Sequence, residues 1–299
     1  MTIAGPMSAA ALVLVLAAAL MHAVWNVVAK RTGGDARFAL MAALLLVVVW
    51  SPVGVWAGWH AVPLWGALEW GVVLASAIVH VVYFTTLLRG YRLSDLTVVY
   101  PVARGTGPLL ASAGAVLWLG ESMSAVAACG VAGVAVGVFF IAGGPRLWAK
   151  AHDPAQRQRV RAGLLWGAAT GALIAGYTLI DGYAVRFLLV SPILVDYVGN
   201  LFRVPFLLPA ALRDGPAFRA LWRTQWRAAL VVAVLGPLGY VLVLYAMQLA
   251  PIGHVAPARE VSMLFAALLG GHFLGEGDRR LRLLGAGCIA VGVTALALG

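Results

Sequence analysis

Charge is what this sequence has least of. Only 11% of its 299 residues are Asp, Glu, Lys or Arg, against about 25% in a soluble domain. Too few remain to cover a water-facing surface, which excludes a soluble enzyme, a secreted disulfide scaffold and a disordered chain. Cysteine is nearly absent: Cys129 and Cys288 each stand alone in an apolar stretch. Such a pair offers neither a disulfide framework nor a metal spacing, so both read as small core residues and no metal is expected. His-Glu-x-x-His helices, Gly-x-Ser-x-Gly elbows and Walker loops are also missing. The chain is therefore not read as an enzyme, and no catalytic residue or cofactor is expected. The net charge of +10 does not argue for nucleic acid, because the basic residues lie between apolar runs rather than on one face.

What the sequence has is hydrocarbon. Apolar residues make up 63% of it, and the mean hydropathy is +0.95. The apolar runs are long and continuous, where a membrane barrel would show short alternating strands. A window of about 19 residues gives ten spans, at 8–30, 36–58, 64–88, 95–118, 123–142, 162–185, 190–212, 227–249, 252–274 and 281–298. The first is too long for a signal peptide and has no basic residues before it, so it reads as retained. The fold class is an all-α membrane protein of ten transmembrane helices.

The two halves repeat one another. A shift of 155 positions carries Arg31 to Arg186, Arg104 to Arg259, Leu119-Gly120-Glu121 to Leu274-Gly275-Glu276, and Gly130 to Gly285. Residues 1–145 form a first five-helix repeat, 146–161 a polar linker and 162–299 a second repeat. Five spans per repeat is an odd number, so the second repeat enters the membrane from the opposite side. Inverted repeats of this kind belong to carriers that alternate access around a midplane site. Lys and Arg crowd the connections after spans 1, 3, 5, 7 and 9, and the opposite connections carry only Arg186. The positive-inside rule makes the first set, and with it the linker, cytoplasmic, and places both termini outside.

At this point the sequence resembles a known family. The two five-span repeats, His22-Ala23-Val24-Trp25-Asn26, Tyr100-Pro101-Val102-Ala103-Arg104-Gly105 and the twin Leu-Gly-Glu resemble the EamA branch of the drug/metabolite transporter superfamily. The resemblance spans essentially the whole chain. It implies a bacterial cytoplasmic-membrane carrier, often an exporter of amino acids or other small metabolites. It also implies cytoplasmic termini, the reverse of what the charges here predict.

An ionisable side chain at mid-bilayer is costly, so such residues are the site candidates. Arg104 in span 4 and Arg259 in span 9 are repeat equivalents near the midplane. Two guanidinium forks facing one cavity suit a carboxylate, phosphate or phosphonate; the alternative is neutralisation within the protein, of Arg259 by Asp181 or Asp196. Pro101 and Pro257 precede the two arginines and predict a break in both spans. Trp25, Asn26, Tyr100, Tyr240 and Asn200 complete the expected substrate-binding set, with Tyr83, Tyr245 and Trp166 as further wall candidates. Asp181, Asp196 and Glu260 are candidates for coupling or counter-ion roles, and each carboxylate has a structural salt bridge as its alternative. His22 and His80 are relay candidates, or else hydrogen-bonded structural residues. Glu69 is read as an entrance residue.

The function expected is secondary transport, with export as the direction, of a small polar or anionic metabolite such as an amino acid, with the bilayer and protons as further partners. Two alternatives stand beside it. One is export of lipophilic cations on an intramembrane carboxylate, the other an intramembrane enzyme or lipid-handling protein.

Overall fold

A computed structural model describes residues 6–32, 35–94, 96–141, 154–270 and 279–299. They are almost wholly helical, as hydrocarbon requires: backbone N–H and C=O groups without water must pair inside their own segment. The helices are α1 (Ala9–Arg31), α2 (Ala36–Ala61), α3 (Ala67–Leu93), α4 (Leu96–Leu119), α5 (Ala125–Ile141), α6 (Pro154–Arg186), α7 (Pro192–Leu212), α8 (Gly215–Leu249), α9 (Ile252–Ala258), α10 (Val261–Gly270) and α11 (Arg279–Leu298). Five of these, α1, α2, α3, α6 and α8, are long and apolar enough to cross a membrane. The chain is a multi-pass membrane protein.

Three differences from the sequence reading have local causes. Helix α6 begins at Pro154, inside the predicted linker, because Pro is favoured in a first turn and a run of polar helix formers follows it. Helix α8 begins at Gly215 rather than 227, its first turn capped by the Asp214 carboxylate on the Ala217 N–H at 3.1 Å. The predicted span 252–274 is not one helix: it breaks at Arg259 and Glu260. The Leu274-Gly275-Glu276 repeat signal lies outside the described residues.

The bundle closes as a ring. Helix α1 packs on α8 and α10, α2 on α7 and α8, α3 on α6 and α7, and α4 on α6 and α9, with α5 against α11 outside it. Small residues set the closest approaches. Gly163, Gly167 and Gly171 of α6 lie on Val98, Val102 and the Ala103 carbonyl of α4. A methyl group on Gly130 would sit 2.7 Å from the Gly292 carbonyl oxygen, and one on Gly137 would sit 2.6 Å from that of Gly285. The 155-residue shift turns the first of these contacts into the second.

The arginine-rich end is tied by Arg37, whose guanidinium reaches Asp35 at 2.8 Å and Asp214 at 3.2 Å. Asp35 also caps α2 through the N–H groups of Arg37 and Phe38. Desolvation would raise the Asp35 carboxyl, but the Phe38 N–H and Arg37 outweigh it and hold it below the usual range.

The opposite end is sealed. Here lies the largest apolar cluster, including Ala11, Val15, Leu194, Leu244, Met247 and Ile252. Gly120, at φ +68, turns the chain out of α4 and brings Glu121 back into the bundle. One Glu121 oxygen accepts from the Ile252 N–H at 2.8 Å and from Arg186, the other from the Gly253 N–H at 2.9 Å. A single carboxylate therefore caps α9 and ties α4 to the end of α6. Side-chain exposure is 7% for Arg186 and 5% for Glu121, so neither charge has water to fall back on. Breaking such a pair typically costs about 3–5 kcal/mol. Arg186→Gln is expected to destabilise the protein by about that amount, read as a fall in Tm in detergent. A loss below about 1 kcal/mol, the range of solvated pairs, would contradict the seal.

Candidate functional site

The half of the bundle nearer the arginine-rich end holds a cavity of about 520 Å³. Its wall near that end comes from the first turns of α2 (Ala39, Ala42, Ala43, Leu46) and the last turns of α3 and α7 (Phe84, Leu87, Phe206, Leu207). Deeper in, polar groups converge from four helices and the α9–α10 break: Asn26, Arg104, Asp196, Arg203, Tyr240 and Arg259.

The break makes this arrangement. Pro257 has no N–H to continue the helix, and short backbone bonds step the chain around it. The Glu260 N–H donates to Pro257 at 3.0 Å, Ser262 to Arg259 at 3.1 Å and Met263 to Glu260 at 2.9 Å. The tightened turn sends the two adjacent side chains apart. Glu260, 1% exposed, turns to Arg104, its Oε2 lying 2.9 Å from the guanidinium Nε. Arg104 Nη2 also donates to the Ser262 hydroxyl at 2.9 Å. Arg259 lines the cavity instead, and among the described residues it has no ion pair. The alternative, that Asp181 or Asp196 neutralises Arg259, is thus not met; of the two arginines expected to hold an anion, Arg104 is the one neutralised within the protein. The other expected break is absent: α4 runs unbroken through Pro101 and Pro108, held along one side by the α6 glycine ridge.

The acidic residues divide. Asp181 is 1% exposed and accepts a hydrogen bond from the Tyr240 hydroxyl through Oδ2, while Oδ1 has no hydrogen-bond partner among the described residues. His80 stacks on Tyr177 at 4.0 Å between ring centres, and its Nδ1 lies 2.9 Å from the Ser76 carbonyl. Tyr83 and Tyr240 pack against the same Tyr177 ring, so an aromatic cluster separates Asp181 from the open cavity. Asp196, Asn200 and Arg203 share one face of α7 and all border the cavity, as their spacing predicts. The Asn200 amide donates to the Asp196 carbonyl at 2.9 Å.

Trp25, Tyr100 and His22 are also in the wall. Trp25 meets His22 edge-on at 4.8 Å, and Tyr100 presents its ring 5.9 Å from the Arg104 guanidinium. The Asn26 amide donates to the His22 carbonyl at 2.7 Å. Other candidates fall elsewhere. Trp166 lies under the Arg89 guanidinium at 5.1 Å, Tyr245 is not in the wall, and Glu69 accepts from the Gly66 N–H at 2.8 Å, capping its own helix. Sequence reasoning missed Ser262 and the Glu121–Arg186 pair. Ser262 gave no signal, since its repeat equivalent is Gly107. The pair did give one, because Arg186 is the lone exception to the positive-inside pattern. Among the described residues no group of three His, Cys, Asp or Glu is placed to hold a metal.

The site thus offers a guanidinium at a helix break and a carboxylate on α7, neither in an ion pair among the described residues, with aromatic surface in the same wall. Such a wall can bind a small charged solute. No curated protein matched the sequence. One solved crystal structure shares the fold over 95% of both chains, with a TM-score of 0.73 at 16% identity. The second half of the chain, residues 161–298, matches the model of the EamA-like transporter family, part of the drug/metabolite transporter superfamily.

Proposed function

We propose that the whole chain is a secondary transporter that exports a small polar or anionic metabolite, such as an amino acid, by alternating access around the cavity. The observation that carries this reading is Arg259, a guanidinium at a helix break, in the cavity wall and without an ion pair among the described residues. An intramembrane arginine is costly to bury, and a ligand anion is the partner it lacks. Its fork of donors matches a carboxylate or phosphonate. Asn26, Asn200, Trp25, Tyr100 and Tyr240 shape the rest of the site, while Arg104, bound to Glu260 and Ser262, serves mainly to hold the break in place. Asp181, Asp196, His22 and His80 form the coupling set, with protons as the coupling ion.

Two inverted five-helix repeats are part of the proposal. Supporting them are the glycine contacts of α5 and α11 that exchange under the 155-residue shift. The ring supports them too: the α1–α8 neighbours correspond to α6–α3. Alternating access then follows as the exchange of the sealed and open ends. The resemblance implies a bacterial cytoplasmic membrane, the charge placement supports termini that both lie outside, and the cavity then faces the cytoplasm.

A second reading, export of lipophilic cations, is favoured by Asp196, which borders the cavity without an ion pair among the described residues. Thermal stabilisation separates the two. A ligand at a hundredfold its Kd adds about 2.7 kcal/mol. Anions or zwitterions are expected to stabilise the wild type and Asp181→Asn but not Arg259→Gln. Stabilisation by cations alone, kept in Arg259→Gln and lost in Asp196→Asn, would overturn the anion site. Orientation is checked separately: a periplasm-active reporter fused after Gly299 is expected to be active, and a silent fusion would reverse the topology.

A further inference from the structure

The cavity wall changes character along its length. Its charged groups are confined to the deep end, whereas towards the arginine-rich face the wall is Ala39, Ala42, Ala43 and Leu46 on one side and Phe84 and Leu87 on the other. A carrier for a purely hydrophilic solute has no use for so much hydrocarbon beside its site.

One edge of that wall is open. Helices α3 and α7 are neighbours in the ring and touch through Trp70 and Phe202, ring centres 6.5 Å apart, towards the sealed end. Towards the other end they no longer close the wall. Phe206 borders the cavity and is nevertheless 61% exposed, and Thr85 on α3 likewise borders the cavity and is exposed. The surface beside this edge is apolar: Ile78 and Val82 on α3, Leu208 on α7. Among the described residues no Asp, Glu, Lys or Arg borders the cavity on α3 or on α7 beyond Arg203. Such an opening at the depth of lipid tails is filled by hydrocarbon rather than water.

We infer that the ligand is an amphipathic organic anion, its charged end held at Arg259 and its hydrocarbon part lying along the apolar wall and in the opening between α3 and α7. The inference rests on the anion site proposed above and narrows it. A ligand of this class partitions into the membrane and reaches the site from the side.

The test is a binding series of butanoate, hexanoate and octanoate on the protein in lipid nanodiscs, with wild type, Arg259→Gln and Thr85→Trp. Each methylene buried tightens binding about fourfold, so each step of the series is expected to gain about fifteenfold in wild type. Arg259→Gln is expected to lose the whole series and Thr85→Trp, which fills the opening, to flatten it. Equal affinity for all three, lost in Arg259→Gln, would overturn this inference and leave the anion site standing. A steep series unchanged by Arg259→Gln would overturn both. A steep series that Thr85→Trp leaves intact would remove the hydrocarbon from the opening.

Discussion

An arginine taken into the hydrocarbon of a bilayer must find an anion or water, and the cost of failing is several kcal/mol. This chain places Arg104, Arg203 and Arg259 well inside its spans and Arg186 at the end of α6, and how each is satisfied organises the rest of the molecule. Arg186 is satisfied by Glu121 and closes one end. Arg104 is satisfied by Glu260 and Ser262 and so binds α4 to the broken span. Among the described residues Arg203 has a 3.5 Å contact with Asn200 and no ion pair, and Arg259 has the cavity. The two paired arginines hold helices together, and Arg203 and Arg259 border the cavity without an ion pair among the described residues.

The pairings also explain why the cavity is at one end. Glu121 satisfies the first N–H groups of α9 as well as Arg186, so the start of the broken span is anchored where the apolar core is densest. The stretch after the break is free of that anchor, and there the bundle is hollow. A helix end needs its orphan N–H groups capped wherever water is absent; meeting that need with a charged residue from another helix couples the seal to the shape of the site. The seal is therefore the element whose rearrangement would let the other face open.

Much of this was legible in the sequence, because hydropathy and charge placement act residue by residue. The span positions follow from the length of apolar runs, and the α7 stripe of Asp196, Asn200 and Arg203 follows from helical spacing alone. Other features depend on geometry that spacing does not carry. Glu260 lies next to Arg259 in the chain yet pairs with Arg104, because the break at Pro257 turns neighbouring side chains apart. The same proline logic failed for Pro101, where packing against α6 keeps the helix continuous. Asp181 was visible as a buried carboxylate, but its place behind Tyr240 and Tyr177 is a matter of tertiary packing.

The central claim is that the cavity opens to one face while Glu121 and Arg186 keep the other closed. Gly236 tests it most directly, since it lines the cavity and a side chain there would meet open space. Gly236→Cys, in a background with Cys129 and Cys288 replaced by alanine, is exposed to a membrane-impermeant maleimide in vesicles of either orientation. The account predicts modification from the arginine-rich face only, and a fall in that reactivity when Glu121→Gln loosens the seal. Modification from the opposite face in the otherwise unaltered protein, or reactivity indifferent to Glu121→Gln, would contradict it.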